Sequence, residues 1–498
     1  MRRASLVLVA VGGATLFACG GGSSGDDTTG ADANGGDGPP SIVAPDGGGP
    51  PDTTLTDGKA SGDTAIPPGD AAVDAPVIFD ANPPGDASVC NPVIADDNTG
   101  VYALAVGGTS ASNCGARSGP CSTVTMALAH AAMNGKSTVY VGPGTYNETV
   151  TLGNGIALRG GWVVLGNAWQ QNCDATSTIL QTTTSDRVVI ATNLASTTPL
   201  DTLTINNGTA AGAGESLYGI FSTASRLVLQ NVKVTVNGGG TGTNGATGGG
   251  GGAGGGCANA QASTGAMGAM GSAGSAGAGA QFSGSGVAPP PAAGTGGQGA
   301  TGENGTPPTA GQCITGVPGC DPTGSSCLPG SQSYCPTTPG TIGCGGAPGN
   351  GGTGGSGGGS SIGLYAWGGV ITTASGVLSA GSGGAGGNGA AGGAGGPGSA
   401  GGSSQIDVIV ACSTKIINGN PVCIQTPMTE SANNAGGTGG TGGAGGTGGG
   451  GAGGDTFSYY SGNGATVTVS GTTLVFGAAG PGGAGGTTGP AGTAAEHN

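Results

Sequence analysis

Three stretches of this chain follow one template, and each runs directly into glycine. They read GIFSTASRLVLQNVKVTV at 219–236, GLYAWGGVITTASGVLS at 363–379 and FSYYSGNGATVTVSGTTLVF at 457–476. Each holds three short β-forming pieces in succession. Recurrence of a multi-strand unit is the sequence signature of a solenoid, in which successive turns of strand stack on one another. The template therefore predicts stacked strands with glycine-rich excursions between them.

The composition excludes a large aromatic core. Of 498 residues, 121 are glycine, while 3% are aromatic and 7% are charged. A narrow aliphatic core inside a stack of repeats, with long segments outside it, fits these values better than one globular core does.

The first 19 residues predict export and lipid attachment. Two arginines begin the chain, and the apolar run at 6–17 is too short to span a bilayer. LFACG at 16–20 resembles a bacterial lipobox, in which Cys19 would be acylated; an ordinary secretory signal is the alternative. Glycine after the cysteine implies, by the sorting rule of Gram-negative lipoproteins, delivery to the outer membrane, with the protein periplasmic or surface-exposed.

Residues 20–89 are predicted to form a disordered acidic tether. Fourteen aspartates lie between Asp26 and Asp97, against one basic residue, Lys59. Their repulsion, together with glycine and proline, keeps such a segment solvated and extended, with a reach of about 45 Å as a flexible coil. This acidity argues against nucleic acid and against anionic lipid surfaces as partners.

The cysteine count fits an oxidising compartment. Thirteen cysteines are present, and without Cys19 an even number remains, which suits six disulfides. Local pairs are predicted for Cys114 with Cys121, for Cys173 with an upstream partner, and for Cys412 with Cys423. Five more cysteines at 313–344 are predicted to form a small disulfide-stapled knot. Zinc is the competing interpretation, but no CxxC spacing occurs and only two histidines are present.

Residues 101–162 combine several elements in a recognisable order. An opening strand is followed by Ser122, the expected N-cap of a short helix that runs to Met133. A strand at 137–141, GPGTYNE at 142–148 and LRGGW at 158–162 come next. This order resembles the N-terminal cap and first coil of bacterial right-handed parallel β-helix proteins of the pectate-lyase-like superfamily.

The resemblance implies an all-β fold: a right-handed single-stranded parallel β-helix with a short N-terminal capping helix and long glycine-rich loops. A β-sandwich is the rival fold. Leu203 and Leu227, 24 residues apart, are predicted to lie one coil apart. Asn206, Asn207 and Asn231 follow apolar strands, where they would either stack in ladders or face solvent in turns.

The chain is divided accordingly. The predicted parts are the lipoprotein signal peptide (1–19), the tether (20–89), the cap and first coils (90–237), a glycine-rich, cysteine-containing insertion (238–360), further coils interrupted by glycine-rich loops (361–480), and a glycine-rich tail (481–498).

Glycine recurs with period three inside the excursions. Residues 383–403 read largely as Gly-Gly-X triplets. Period three matches a polyproline II-like helix, and ridges of glycine would let such helices pack through Cα–H···O contacts. The runs resemble the PGRS-type repeats of mycobacterial surface proteins, without that family's PE domain. Two interpretations stay open, packed polyglycine helices or disorder, since ordering glycine costs more backbone entropy than ordering any other residue.

No catalytic constellation is visible. Proteins with the predicted fold cleave polysaccharides, which requires two carboxylates within about 10 Å for hydrolysis, or Arg or Lys beside calcium-binding acids for lyase chemistry. Asp201, Glu215, Arg159 and Arg226 are the candidates that would have to converge. Each arginine is also readily explained as a surface charge, and we predict no catalytic residue.

Two other features bear on ligands. GGAGGDTFS at 450–458 fits a calcium-binding nonapeptide, with Asp455 as the candidate ligand, but a chance match is easy in so glycine-rich a chain. No other cofactor is predicted. Trp162, Trp169 and Trp367 would either stack on sugar rings or pack in the core or cap.

The sequence thus predicts a non-enzymatic surface lipoprotein of the cell envelope, with a structural, adhesive or carbohydrate-contact role. Its partners would be the membrane, through the lipid on Cys19, and polysaccharide or other envelope components. The alternative is a polysaccharide lyase or hydrolase acting on uronate-type glycans.

Overall fold

The computed structural model describes residues 93–254, 266–305, 314–320, 327–334, 341–401, 407–430 and 437–498. All of them belong to the second of the chain's two units, Phe79–Asn498. The predicted signal peptide, Cys19 and the tether lie outside the described residues, as do 313, 321–326 and 335–340 of the cysteine-rich stretch at 313–344. Within the described part, no helix has the length and apolarity needed to cross a membrane.

Strands dominate the described part. The elements in chain order are β1 (Gly100–Ala103), α1 (Val124–Met133), β2 (Thr138–Val141), β3 (Gly144–Asn147), β4 (Val150–Thr151), β5 (Ala157–Arg159), β6 (Trp162–Leu165), β7 (Ala168–Gln171), a 3₁₀ turn (Ala175–Ser177), β8 (Thr178–Thr182), β9 (Arg187–Thr192), β10 (Thr198–Asn207), β11 (Leu217–Val236), β12 (Gln281–Ser283), β13 (Gly286–Ala288), β14 (Ile314–Cys320), β15 (Cys327–Tyr334), β16 (Ser361–Ser379), β17 (Asp407–Ile417), β18 (Asn420–Glu430), β19 (Thr456–Gly462), β20 (Thr466–Val475) and β21 (Ala494–His497).

The main sheet is parallel throughout the described residues. Its strands follow the order β1-β2-β5-β10-β11-β16-β19-β21, with β3, β4, β8, β9 and β20 paired alongside. The three template stretches stack in register, since Phe221 lies opposite Tyr365 and Tyr365 lies opposite Tyr460. Among these residues, antiparallel pairing is found in four hairpins and in two isolated bridges, Ile94 with Gln170 and Ala116 with Gly119. The chain is therefore all-β with parallel strands, as the sequence predicts.

The predicted spacing of one repeat was wrong. Leu203 lies opposite Val232, 29 positions on, whereas Leu227 lies opposite Thr198. The turn between the end of β10 at Asn207 and the start of β11 adds the extra residues. Asn207 itself is buried, and its side-chain amide donates to the carbonyl oxygen atoms of Asp186 and Tyr218.

Apolar side chains from successive strands form columns that make up the core. Neighbours within a column lie opposite each other in the parallel pairing and, apart from the terminal positions, are almost all fully buried. Three columns run through the described strands: Val101, Val139, Leu158, Leu200, Leu229, Thr373 and Val469; Tyr146, Leu180, Ile205, Val234, Leu378 and Leu474; and Val150, Val189, Ile220, Leu364 and Tyr459.

Left-handed backbone bends stack between the columns. The residues of each row have φ between +46° and +72°, a region that non-glycine residues seldom adopt. The flanking strand pairs place each row at one corner of successive turns. One row contains Asn193, Ala224, Gly368 and Asn463, and the other contains Thr202, Asn231, Ser375 and Gly471. The left-handed bends therefore recur at matching positions of successive paired strands.

Helix α1 covers the first strands of the sheet. Its buried face consists of Val124, Ala127, Leu128 and Ala131. Thr123, rather than the expected Ser122, is the N-cap, because its side chain accepts a hydrogen bond from the Met126 amide. The end of the helix at Met133 is as predicted.

The glycine-rich segments are ordered and packed on one another. We call residues 238–254, 266–279, 290–305, 341–360, 380–401, 437–455 and 477–492 the glycine lattice. They are extended but outside the sheet, and they hydrogen-bond at every third residue. One such ladder runs Gly346 to Gly440, Gly349 to Gly443, Gly352 to Gly446 and Gly355 to Gly449, with N···O distances of 2.8–3.0 Å.

Segment 437–455 shows why the period is three. Along it, one residue in three donates to segment 380–401 and the next donates to segment 290–305, as Gly442 does to Gly396 and Gly443 does to Ala300. A Cβ atom on most of these glycines would lie less than 3.0 Å from a neighbouring backbone atom. The lattice thus needs glycine at two positions of each triplet because backbones meet there without side chains.

The residue at the third position of each triplet depends on whether another segment packs on it. Thr441, Ala444 and Thr447 are exposed. Further along the same row, Gly450 and Gly453 lie against Gly483 and Gly480 of segment 477–492, where a Cβ would clash. A side chain is therefore present where the segment faces solvent and absent where another segment packs on it.

A hairpin holds the first glycine-rich insertion onto the sheet. Strands β12 and β13 cover an aromatic row in which the Phe221 and Tyr365 rings and the Tyr365 and Tyr460 rings are stacked, with centroids 5.1 and 5.2 Å apart. The Tyr365 hydroxyl donates to the carbonyl oxygen of Ser283 (2.5 Å) and accepts from the Ser283 amide (3.2 Å). The Tyr218 hydroxyl accepts from the Val287 amide.

We predict that Tyr365→Phe loosens this hairpin without disturbing the sheet. Loss of the hydroxyl leaves both backbone groups of Ser283 without this partner, which costs about 1–3 kcal/mol for buried groups. Amide hydrogen exchange at 281–288 should accelerate while exchange in β16 is unchanged. Tyr459→Phe is the matched control, because its ring packs on His497. Equal exchange in the two variants would contradict the prediction.

Candidate functional site

A cavity beside the capping helix combines polar groups that are far apart in sequence. Its volume is about 470 Å³, and it lies between β1, the loop closed by the Cys114–Cys121 disulfide, and the end of α1. The side chains that give it its polar character are Asp97, Arg117, Ser118, His130, Asn134, Lys136 and Asn167. The disulfide holds the loop that presents Arg117, and the helix presents His130.

Both cations of the cavity are anchored by the segment at 95–98. The Arg117 Nε atom pairs with the Asp97 carboxylate (3.0 Å), and Nη2 donates to the Ala95 carbonyl and the Tyr102 hydroxyl. The Lys136 ammonium donates to the carbonyls of Asp97 and Asn98. Arg117 Nη1 makes no hydrogen bond within the described part of the chain, so it offers donors to a ligand.

The cavity concentrates basic side chains in a chain that is acidic as a whole. Between residues 93 and 498 the sequence contains seven lysines and arginines, and two of them line this cavity with His130. A hydrogen bond from Tyr102 and the nearby Arg117 hold the pKa of Asp97 below its usual value, although partial desolvation opposes them. Asp97 therefore stays ionised and keeps Arg117 in place.

An aromatic cluster supports the wall of the cavity. The Tyr102 ring lies 4.9 Å from the Trp169 ring, and the Tyr140 ring lies 5.1 Å from the Trp162 ring, both edge-on. Trp162 and Trp169 are buried, so they pack in the cap and do not offer a face to a sugar. Trp367 is half-buried beside Tyr365, next to Gly284 and Gly462.

The catalytic candidates do not converge. Asp201 lies opposite Arg159, and their side chains form an ion pair of 3.3 Å. Glu215 accepts a hydrogen bond from the Gly212 amide, before β11 begins. Arg226 is exposed and lies about four residues, or roughly 13 Å, along the strand from the level of Asp201. The structure thus joins two of the four residues, with a single carboxylate.

Burial raises the pKa of Asp201, although the Thr202 hydroxyl and the Arg159 charge lower it. A folded-state pKa above the unfolded value of 3.8 means that the folded chain holds this proton more tightly. The stabilisation is fully present below about pH 3.8 and is lost as the pH rises through the folded pKa.

We therefore expect the free energy of unfolding to fall less between pH 3.5 and pH 7 in Asp201→Asn than in wild type. Denaturant unfolding at several pH values measures this. The lowered pKa of Asp97 contributes stability above its unfolded pKa, and this stability is lost on acidification. Asp97→Asn should therefore lose free energy of unfolding at neutral pH and lose less of it on acidification than wild type does. Identical pH profiles for wild type and Asp201→Asn would refute the assignment.

Asp455 lies where the glycine lattice joins β19. Its carboxylate accepts a hydrogen bond from the Thr493 amide (2.6 Å), and burial raises its pKa. Among the described residues, the group of potential metal ligands whose atoms converge is Cys114, Cys121 and His130, which does not include Asp455. The two sulfurs of that group are bonded to each other, so they do not bind metal in this state.

The predicted pairs Cys114–Cys121 and Cys412–Cys423 have different outcomes. Cys114 and Cys121 are bonded, with S–S 2.00 Å. The bond predicted between Cys412 and Cys423 does not appear among the described residues, in which Cys423 belongs to a disulfide. In the β17–β18 hairpin, Cys412 lies opposite Gln425 and Cys423 lies opposite Thr414, so the two are not directly paired.

Comparison with known proteins gives little further guidance. No protein-family model matches the chain, and no curated protein matches it. One solved structure shares a partial likeness, the pectin methylesterase from Aspergillus niger in deglycosylated form. The TM-score is 0.21 and the identity 15%, over 30% of this chain and 46% of that one. The likeness therefore covers less than half of that structure and carries no argument about this chain.

Proposed function

We propose that the parallel strands form a right-handed single-stranded β-helix of the pectate-lyase-like type, with PGRS-like glycine-rich excursions. Three buried columns and two rows of stacked left-handed corners support this, because a coil with three faces requires both. The glycine lattice would then lie against one side of the coil. A crystal structure of the chain tests the handedness directly, and a left-handed coil would refute the proposal.

We further propose that this is a non-enzymatic surface lipoprotein of the cell envelope, anchored through Cys19 at the outer membrane, with a structural or adhesive role. The observation that supports it best is the glycine lattice. Hydrogen bonds at every third residue convert segments without large side chains into an ordered body attached to the sheet. Such a body adds size and rigidity but few chemical groups, which suits a scaffold better than an enzyme.

Anchoring has a direct test. Metabolic labelling with a radioactive fatty acid should mark the wild-type chain, and Cys19→Ala should abolish the label and release the protein from the membrane fraction. A label that persists in Cys19→Ala would refute attachment at this residue.

The cavity supports a carbohydrate contact through its cations. Arg117 and Lys136 suit a saccharide that carries an acidic group, and the cavity volume is that of a small-molecule site. Glycan-array binding should favour acidic over neutral glycans, and Arg117→Met should reduce that binding. Arg226→Met removes an exposed arginine elsewhere and is the control. Equal binding by both variants would contradict a contact at this cavity.

A polysaccharide lyase or hydrolase is the second candidate, favoured by the ion pair between buried Asp201 and Arg159 alone. The test is to incubate uronate polymers with wild type and with Asp201→Asn and to measure their cleavage. Turnover by wild type that is lost in the variant would establish an enzyme and overturn the non-enzymatic proposal.

A further inference from the structure

Three side chains with metal-binding atoms meet where the loop at 114–121 packs beside helix α1. The ligand atoms of Cys114, Cys121 and His130 all lie within 4.8 Å of one another. They come from two separate elements, since the cysteines close the loop and His130 lies in the last turn of α1. Both cysteines are buried, whereas His130 is partly exposed. The fold therefore holds two sulfur atoms next to an imidazole ring.

The imidazole ring of His130 faces both the sulfur atoms and the cavity described above. The backbone carbonyl of His130 accepts hydrogen bonds from the amide and the side chain of Asn134 at the end of the helix. Among the described residues, however, the ring itself has no hydrogen-bond partner. Neutral imidazole is the commonest metal ligand in proteins, and this ring is free to act as one.

The Cys114–Cys121 disulfide decides whether the sulfurs bind a metal. While the two are bonded, neither is a thiolate, and the thiolate is the form that binds metal. A dithiol reductant cleaves the bond by exchange: its two thiols pass two electrons and two protons to the cysteines and become a disulfide themselves. Cys114 lines the cavity and Cys121 does not, so the reductant attacks the sulfur of Cys114.

Reduction leaves the two sulfurs close enough to share one ion. Two thiolates on a zinc ion lie about 3.8 Å apart, given two bonds of about 2.3 Å at a tetrahedral angle. The Cα atoms of Cys114 and Cys121 are 4.9 Å apart, so rotation of the side chains reaches that separation without moving the backbone. The Cys121 backbone is fixed in any case, because its amide donates to the Tyr102 carbonyl and its carbonyl accepts from the Leu104 amide.

The chemistry of these three ligands selects zinc. Sulfur and imidazole together suit zinc, whereas calcium and magnesium require oxygen ligands. Among the described residues, no carboxylate converges with the three ligands. Arg117 and Lys136 line the same cavity, and nearby cations favour thiolates over thiols. Two thiolates also neutralise the charge of the zinc ion, so a loaded site adds no repulsion toward these cations.

We propose that Cys114, Cys121 and His130 form a zinc site that the disulfide blocks and that reduction makes available. Each thiol gives up its proton on binding, so two protons are released for each zinc ion. The cavity leaves the fourth position to water, as in other zinc sites with three protein ligands. The site depends on the geometry of the cap and not on the lipid anchor or on carbohydrate binding.

Hydrogen exchange of the full-length chain, with zinc chloride as the probe, tests the site locally, because other cysteines also bind metal once they are reduced. After treatment with a dithiol and its removal without air, zinc should slow exchange at 114–121 and 128–134. The zinc concentration that gives half of this effect should rise at least tenfold in His130→Ala, since losing even an outer-shell partner costs about 10–100-fold in metal affinity. His497→Ala removes the other histidine and is the matched control.

Cobalt(II) in place of zinc gives an independent measurement, because its visible absorption reports tetrahedral thiolate ligation. The reduced wild type should show more of this absorption than reduced His130→Ala. Exchange that zinc leaves unchanged in the reduced chain, an equal zinc requirement in wild type and His130→Ala, or the same effect of zinc on the unreduced chain would each overturn the proposal. Loss of protection in α1 on reduction that zinc does not restore would also overturn it, because the ligands would no longer be held together.

Discussion

Gly445→Ala is expected to disrupt the glycine lattice at its centre. A Cβ on Gly445 would lie less than 3.0 Å from the backbone of Asn350. Backbone cannot move aside as a flexible side chain can, and this backbone is itself hydrogen-bonded to further segments. Overpacking of this kind costs about 1–3 kcal/mol or more. We expect faster hydrogen exchange at Gly442, Gly445 and Gly448 and a lower unfolding temperature.

Gly252→Ala is the matched control for that substitution. Gly252 belongs to the same lattice, but a Cβ there meets no atom within 4 Å. Replacing glycine by alanine at a site without strain reduces the freedom of the unfolded chain and is neutral or slightly stabilising. If Gly445→Ala and Gly252→Ala behave alike, the segments are not packed as the hydrogen-bond ladders require.

The order of these segments was one of two interpretations left open by the sequence. Period three is visible in the Gly-Gly-X triplets, but an isolated segment cannot satisfy its backbone groups and pays the full entropy of ordering glycine. Packing is decided by neighbours that lie far away in the chain, as Gly346 and Gly440 do. The change from Thr447 to Gly450 in the third position is the signal that could have predicted which stretches are covered.

The sequence predicts where the strands lie better than it predicts the number of residues between paired strands. Apolar alternation in the three template stretches predicts strands, and the shared order of pieces predicts that they stack. The distance from Leu203 to its partner depends on the length of the turn before β11, which no apolar periodicity encodes. Left-handed corners at Ala224 and Ser375 are also invisible in the sequence, because neither residue type favours that conformation.

The cavity beside α1 was missed for a related reason. Asp97 lies in the acidic run that otherwise forms the predicted tether, so its role in holding Arg117 could not be separated from simple solvation. Lys136 and His130 had no assigned partner. A signal was nevertheless present, since Arg117, His130 and Lys136 lie within 20 residues of each other in a chain that is poor in basic residues.

Buried side chains that stack from strand to strand hold the parallel sheet together, and Ile371→Ala tests them most severely, in the row of Leu227, Ile371 and Val467 that runs beside the three columns. Ile371 is fully buried between Leu227 of the preceding turn and Val467 of the next. Removing a buried isoleucine to alanine costs about 2–5 kcal/mol, because the lost burial is compounded by the cavity left behind. Because β16 is hydrogen-bonded to a strand on each side, those strands cannot move to fill the cavity, and the cost should lie toward the upper part of that range.

Val370→Ala provides the comparison one residue away. Val370 lies on the same strand and in the same parallel pairing, but its side chain is 42% exposed on the outer face. Surface changes of this kind stay within about 0.5 kcal/mol. Denaturant unfolding of the two variants therefore separates inner from outer positions of β16. Comparable losses at 370 and 371 would mean that the side chains of this strand do not alternate between a buried column and solvent, and the stacking argument would fail with it.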